Sequence, residues 1–447
     1  MKTLLSLVTF LSLSLSVVCH GQSTATQTRQ SLDGGSFESE PRWWRGNTHA
    51  HSWWSDGDAP PELIADWYKQ HNYDFLVISD HNIMKKGVKW YPIDNTRRAV
   101  TQLHYAYAQY VDRFGEQWVE TRTVDGGREV KLKTLDEFRS LFEEPEEFIF
   151  IRGEEITDSY NGLPMHANGI NLVELIEPQG GENMSDTIQN NLDAVMAQSD
   201  RYGQPMLMHL NHPNFVWGQT PEDFFYLDHE PGDGFFEIWN GHSSVRNYGD
   251  DYHVSTERMW DIVLSKRLGE LNRSVIYGVA VDDAHEYAVW GLGETNPGRG
   301  WIMVRSRWLT PNEITAAIKR GDFYNSTGVS LSRLAVDGNG IDLAIDARPG
   351  VDYTIEFIGT LKDADLQGRQ RSIPARYGRG ENLNPHRIRY SDEVGEVLQT
   401  VTGTAARYNV TGDEIYVRAR ITSSQPHGNP FAPGDVEMAW TQPLVVE

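Results

Sequence analysis

Thiol is almost absent from this sequence: the only cysteine among 447 residues is Cys19, close to the N-terminus. A structural zinc knot of the Cys-rich kind and a disulfide framework are therefore excluded. Basic residues are also in deficit. Forty Lys and Arg stand against 63 Asp and Glu, a net charge of -23, and such a field repels nucleic acid and anionic lipid at long range. No nucleic acid polymer is expected as a partner, although the same field helps a site to hold divalent cations. Long apolar runs are missing beyond the N-terminus, so no transmembrane segment is expected. What remains is 39% hydrophobic, which suits a folded chain of two or three domains.

Residues 1–21 combine Lys2, an apolar run from Leu4 to Val18 and small residues at Cys19 and Gly21. This is the pattern of a signal peptide cleaved before Gln22, which places the mature chain outside the cytoplasm, secreted or periplasmic, and without any thiol. A lipid anchor on Cys19 is the minor reading, because Val18 is bulkier than that processing accepts. Residues 22–40, rich in Ser, Thr, Gln and Gly, read as a flexible lead-in.

Residues 45–58, RGNTHAHSWWSDGD, put His49, His51 and Asp56 close together. On a strand, residues two apart share a face, so both imidazoles can reach one ion, and Asp56 adds a hard oxygen; this donor set suits zinc, manganese or iron. Pro60 and Pro61 then precede ELIADWYKQHN, where Leu63, Ile64 and Trp67 recur at helical spacing, and DFLVIS follows as a short buried strand ending at Asp80 and His81. Strand, helix, strand implies a parallel sheet, and chemistry collects at the carboxyl ends of such strands. The pattern recurs: FIFIRGEEIT brings Glu154 and Glu155, MHANGINL brings His166, PMLMHLNHPN brings His209 and His212, and VIYGVAVDDAHEY brings Asp282, Asp283 and His285.

Between Asn82 and Glu147 lies an insertion (82–147) at the rim. Within it, TRTV and REVKLK flank Asp125, Gly126 and Gly127 as a β-hairpin, and Thr134 with Glu137 caps a helix. From residue 331 to 447 the texture becomes short alternating strands broken by Gly, Asn and Pro, an all-β module of sandwich type.

In the order HAH, SDG, SDHN, GEE, HANG, NHP and DAH, the motifs between His49 and Gly328 resemble those of the polymerase and histidinol phosphatase (PHP) family of metal-dependent hydrolases. The tail of this region resembles exported members, including some that cleave aryl carbamates. The resemblance implies an α/β fold, a distorted (β/α)7 barrel over residues 41–330, followed here by the smaller sandwich-like domain. It implies two or three divalent ions (Zn, Mn or Fe): one held by His49, His51, Glu155 and Asp283, a second by Glu155, His166 and His212, and a third by Asp56, His81 and His285. Catalysis is expected to rest on Glu155, Asp283 and His285. Glu154 and His209 are reserves for Glu155 and His212, Asp80 is expected to orient a ligand imidazole, and His71, His104, His229, His242 and His253 match no motif and read as surface or packing residues.

A multinuclear site of this kind activates a water held between two ions and meets the charge on the substrate oxygens, with Arg152 or Arg299 as added positive groups for a phosphoester. The expected substrate is a small ester, with an aryl group, nucleotide or sugar suggested by Trp43, Trp44, Trp53 and Trp54 around the first motif; packing against the barrel is the competing role for these indoles. Phosphoester hydrolysis is the leading expectation. A carbamate or carboxylic ester is the alternative on the same site, and a non-catalytic glycan- or surface-binding protein is the reading from a different class.

Overall fold

The Arg42–Asn47 strand is the pivot of the architecture, pairing antiparallel with Trp301–Ser306 on one side and parallel with Phe75–Leu76 on the other. The computed structural model describes residues 40–94, 100–374 and 384–446. The expected signal peptide, with Cys19, and the expected lead-in up to residue 39 lie outside the described residues. After the first strand, Pro61–Gln70 forms a helix with proline in its first turn and Ile64, Ala65 and Tyr68 buried. Proline is tolerated there because the first N–H groups of a helix have no internal partner. The chain returns through Phe75–Leu76, to which Ile149–Phe150 adds in parallel.

A second sheet holds Gly153–Tyr160, Leu163–Ile170, Leu207–Leu210, Phe235–Asn240 and Tyr277–Val281. Single parallel bridges join it to the first sheet at two seams, His81 to Glu155 and Ala50 to Ala284. The fold is thus mixed α/β. Strict strand–helix alternation is not maintained, because Asn161 and Gly162 both adopt positive φ and fold Gly153–Tyr160 and Leu163–Ile170 into an antiparallel hairpin. Asn-Gly is the pair that such a tight turn favours. No helix among the described residues is long and apolar enough to cross a membrane.

The rim insertion forms a three-stranded antiparallel sheet from Lys89–Pro92, Thr121–Val124 and Gly127–Leu132. The hairpin turns at Asp125 and Gly126, both at positive φ, and the Thr134–Glu137 capping box is present, as the sequence suggested. Trp53 and Trp54 are fully covered beneath this layer with Leu103, Tyr110, Val130 and Leu132. Trp44 packs between the sheets, and Trp43 meets Tyr324 edge to face. None of the four lines the recess described below, so the expectation of an indole-bordered pocket is corrected. Burying such large apolar rings outweighs displaying them.

Beyond Leu331 every element among the described residues is a strand. Leu331–Asp337, Gly340–Ile345 and Ala405–Asn409 form one layer. Ile341 and Leu343 from it pack with Ile355, Phe357, Val417 and Ala419 of the Tyr353–Leu361 and Glu414–Pro426 strands opposite. That second layer continues, through Val436–Thr441 and Phe323–Ser326, into the sheet that contains Arg42–Asn47.

Arg418 extends this connection into the core. Its guanidinium donates to Asp261 Oδ1 and Oδ2 at 2.9 and 2.8 Å and meets Glu257 at 2.9 Å, and Tyr416 Oη also donates to Asp261 at 2.7 Å. Asp261 and Glu257 sit on the Thr256–Leu264 helix. Removing one partner leaves the other charge buried, so Arg418→Met should cost about 3–5 kcal/mol in denaturant unfolding. A chain ended at Val329 strips Phe323–Ser326 of its outer partner and should aggregate; recovery of a soluble, folded truncation would contradict this account.

Candidate metal centre

The two seams bring the candidate residues together. At the first, Asp283 N–H donates to the His49 carbonyl at 3.0 Å and His51 N–H donates to the Ala284 carbonyl at 2.9 Å, so the HAH and DAH segments run side by side. Asn47 fixes the start of this loop by accepting from His49 N–H at 2.9 Å while donating to the Gly300 carbonyl at 2.9 Å. At the second, Glu155 N–H donates to the Asp80 carbonyl at 3.2 Å and Asn82 N–H to the Glu155 carbonyl at 2.8 Å. Asp283 and His212 hold positive φ, 49° and 24°, the kind of backbone strain that persists where surrounding contacts over-determine it.

All nine candidates, His49, His51, Asp56, His81, Glu155, His166, His212, Asp283 and His285, fall in one cluster. Glu155 Oε2 lies 3.3 Å from His49 Nε2, 3.1 Å from His51 Nε2 and 3.1 Å from His81 Nδ1. Its Oε1 lies 3.0 Å from His166 Nδ1 and 3.4 Å from His212 Nε2. Asp283 Oδ1 is 3.2 Å from His49 Nε2 and 3.3 Å from His51 Nε2. Asp56, half-exposed at the mouth, approaches His51, His81 and His285 at 3.4, 3.6 and 3.4 Å.

Four overlapping groups have donor atoms within 4.8 Å of one another: His49, His51 and Glu155; His49, His212 and Asp283; His81, Glu155 and His166; and His51, Asp56, His81 and His285. The grouping differs in detail from that implied by the family resemblance. His212 joins His49 and Asp283, and both His51 and His81 belong to two groups.

Alternation along the Gly153–Tyr160 strand separates the two glutamates. Glu154 turns away from the cluster, accepting from Ile176 N–H at 2.6 Å, and burial pushes its carboxyl up to about 7. His209 sits behind the cluster, 3.1 Å from Thr48 Oγ1 and 3.5 Å from Glu237. Asp80 binds no imidazole directly. It accepts from Ser52 N–H, Ser52 Oγ and Ser55 Oγ at 2.8, 2.8 and 2.7 Å and pairs with Lys85 at 3.0 Å, so it orders the loop carrying His51.

Glu237, which the sequence reading passed over, accepts from His49 Nδ1 at 2.7 Å and from His212 N–H at 2.7 Å. With its Nδ1 committed to a carboxylate, His49 presents Nε2 to the cluster, a common way to orient a metal-binding imidazole. The signal was present: a lone carboxylate in FFEIWN, a strand buried at every position. Asn240 and Asn211 also act from behind, donating to Asp283 Oδ2 at 3.0 Å and Glu155 Oε1 at 2.9 Å. His242 is corrected from a surface or packing residue to a wall of the site. Arg152 pairs with Asp136 at 2.5 Å, and Arg299 donates to the Gly241 and Gly291 carbonyls at 3.0 Å, so neither faces the cluster. The cluster opens into a recess of about 350 Å³ lined by Asp56, His81, Glu155, His166, His212, Phe215, His242, Asp283 and His285.

Burial disfavours charge throughout the site, but the carboxylates outweigh it for some imidazoles. Burial opposes the His51 imidazolium, yet Asp283 and Glu155 push its pKa up to about 10. His49 is raised against burial by Asp283, Glu237 and Glu155. Burial favours ionisable Glu155 and Asp283 in their neutral forms, but the surrounding imidazoles hold both well below the carboxylate range. Where burial dominates, His166 is lowered and His242 falls to about 3.

These side chains fit divalent cations. Glu155 Oε2 and Asp283 Oδ1 are buried and make no hydrogen bond, and an unsatisfied buried carboxylate oxygen is costly unless a cation meets it. Imidazole and carboxylate without thiolate is the donor chemistry of Zn, Mn or Fe.

A scan against models of known families matches nothing in this chain, and neither does a search of curated proteins. Among solved structures, a two-domain protein from Bacteroides vulgatus containing a predicted PHP-like metal-dependent phosphoesterase is similar at TM-score 0.35 and 12% identity, over 90% of this chain and 95% of that one. A proposed metal-dependent phosphoesterase from Bifidobacterium adolescentis is similar at TM-score 0.25 and 11% identity, over 56% of this chain and 91% of that one.

Ion binding requires neutral imidazoles, whereas ion-free His51, with its pKa near 10, carries a proton at pH 7. Titration with Zn²⁺ or Mn²⁺ at pH 7 should therefore release protons, and affinity should fall as pH falls. Calorimetry in buffers of different ionisation enthalpy reads this directly; a buffer-independent heat would refute it. Glu155→Gln should lose most of the bound metal while Glu154→Gln keeps it, as elemental analysis of the two variants would show.

Proposed function

We propose that this chain is an exported metal-dependent hydrolase of the PHP type, with a phosphoester as substrate and a distorted barrel built from the two joined sheets. The observation that carries the reading is the pair of buried oxygens, Glu155 Oε2 and Asp283 Oδ1, that accept no hydrogen bond among the described residues where the imidazole groups meet. In an inert binding protein the neighbouring imidazoles alone would offset the cost of burying them, whereas divalent cations would meet both oxygens directly.

His49, His51, Glu155, Asp283, His81, His166, His212, Asp56 and His285 would hold the ions. Glu155, like His49, His51 and His81, belongs to two groups, and with two carboxylate oxygens it would serve more than one ion. Bound divalent ions would supply Lewis acidity and a water of lowered pKa. The chain's own contribution is orientation: Glu237 fixes His49, Asn240 fixes Asp283, Asn211 fixes Glu155 and Asp80 fixes the His51 loop. His285 and His81 face Asp56 and would be taken up in holding an ion with it, so neither is assigned as leaving-group acid. Three ions would leave the recess positive even with Glu237 counted beside Asp56, Glu155 and Asp283, which favours an anionic substrate over a neutral one.

Phe215 in the recess favours a second reading, an aryl carboxylic ester or carbamate cleaved by the same centre. Reconstitution with Zn²⁺, Mn²⁺ or Fe²⁺, elemental analysis, and a panel of aryl phosphate, bis-aryl phosphate, aryl acetate and aryl carbamate separate the two. The expected result is two or three ions per chain and metal-dependent turnover confined to the phosphoesters. Fewer than one ion, or turnover of carbonyl esters alone, would overturn the proposal.

A further inference from the structure

Of the residues lining the recess, all but Phe215 and His242 are candidate metal ligands. His242 follows the buried Phe235–Asn240 strand and its loop is fixed by the backbone. Its own N–H donates to Asn240 Oδ1 at 2.8 Å, and Val245 N–H donates to its carbonyl at 3.0 Å. Arg299 Nη1 holds the neighbouring Gly241 carbonyl at 3.0 Å. Because Asn240 also donates to Asp283 Oδ2 at 3.0 Å, the loop is tied to the centre. The ring stands edge-on to His285, centroids 5.0 Å apart, and to Phe215 at 6.1 Å.

One hydrogen bond determines the chemistry of this ring. Ser244 N–H donates to His242 Nδ1 at 3.0 Å, and a nitrogen that accepts carries no proton. The ring is therefore neutral with its proton on Nε2. Coordination through Nε2 would move that proton to Nδ1, where it would oppose the Ser244 N–H, so the ring is unsuited to ion binding. No acceptor meets Nε2–H among the described residues.

We infer that His242 contacts the substrate, its Nε2–H donating to a non-bridging oxygen of the ester while Phe215 covers the adjoining apolar part. The inference rests on the hydrolase reading above. A neutral imidazole that gave up this proton would become an imidazolide, so the proton is held in a hydrogen bond and is not transferred. A fixed donor of this kind gains strength as charge builds on the oxygen and needs no reorganisation to do so.

The test compares wild type, His242→Ala and His242→Gln, the last of which keeps an N–H near the Nε2 position. Metal content and thermal melting should be unchanged in both variants. Affinity of the ion-loaded protein for inorganic phosphate, measured by calorimetry, should fall roughly tenfold in His242→Ala and largely recover in His242→Gln. With bis-aryl phosphate, kcat should fall about 100-fold in the alanine variant, with the glutamine variant between. Loss of bound ions from His242→Gln would make His242 a ligand and overturn the inference. So would wild type binding phosphate no better than His242→Ala, whatever its turnover. Absence of ester turnover in loaded wild type, with the phosphate difference intact, would instead defeat the hydrolase reading alone.

Discussion

Buried carboxylate oxygens that no hydrogen bond satisfies are the constraint on which this structure turns. Between them Glu155 and Asp283 lie within 4 Å of six imidazoles, and each keeps one oxygen that accepts no hydrogen bond among the described residues. A proton on His51, whose pKa is pushed up to about 10, offsets part of this charge, and divalent cations would offset it more completely. The surrounding amides and carboxylates, Asn211, Asn240 and Glu237, then appear as parts of one device that keeps the donors aimed inward even before an ion arrives.

Much of this was legible in the sequence because metal-binding motifs are local. HAH places two imidazoles on one side by strand geometry alone, and DAH and SDHN fall where apolar runs end; the full set of nine came from the family that the ordered motifs resemble. Short-range turn chemistry was equally readable, as in the Asp125–Gly126 hairpin and the Thr134–Glu137 cap. The choice of Glu155 over Glu154 came from the spacing of the family motif it resembles, and strand alternation gives the physical reason that Glu155 faces the cluster and Glu154 does not.

What escaped depends on contacts between segments far apart in the chain. Glu237 looks like one carboxylate among many until Phe235–Asn240 is placed beside Leu207–Leu210 and Tyr277–Val281. His242 matches no motif, and only the seating of its loop against Asn240 and Arg299 brings it to the recess. The tryptophans beside the first motif misled for the converse reason: a covering layer from residues 82–147 buries Trp53 and Trp54, and nothing within HSWWSDG announces that layer. Similarly, alternating strands after Leu331 foretold a β module but gave no hint that its outer sheet runs on into the one bearing Arg42–Asn47.

The paired bridges at His81–Glu155 and Ala50–Ala284 give the centre a second role. The two sheets make few backbone bonds across these seams, whereas His49, His51 and His81 stand on one side and Glu155 and Asp283 on the other. A cation held between them acts as a clasp, so loading and closure of the fold are one equilibrium viewed from two ends. A newly made chain starved of divalent ions would still close the two sheets over the apolar layer they share, Phe75, Ile302, Ile170 and Val279 among it, but would leave the edges at His49 and His81 without that clasp. Metal would then be felt in the stability of the fold as well as in the rate at which a loaded molecule works.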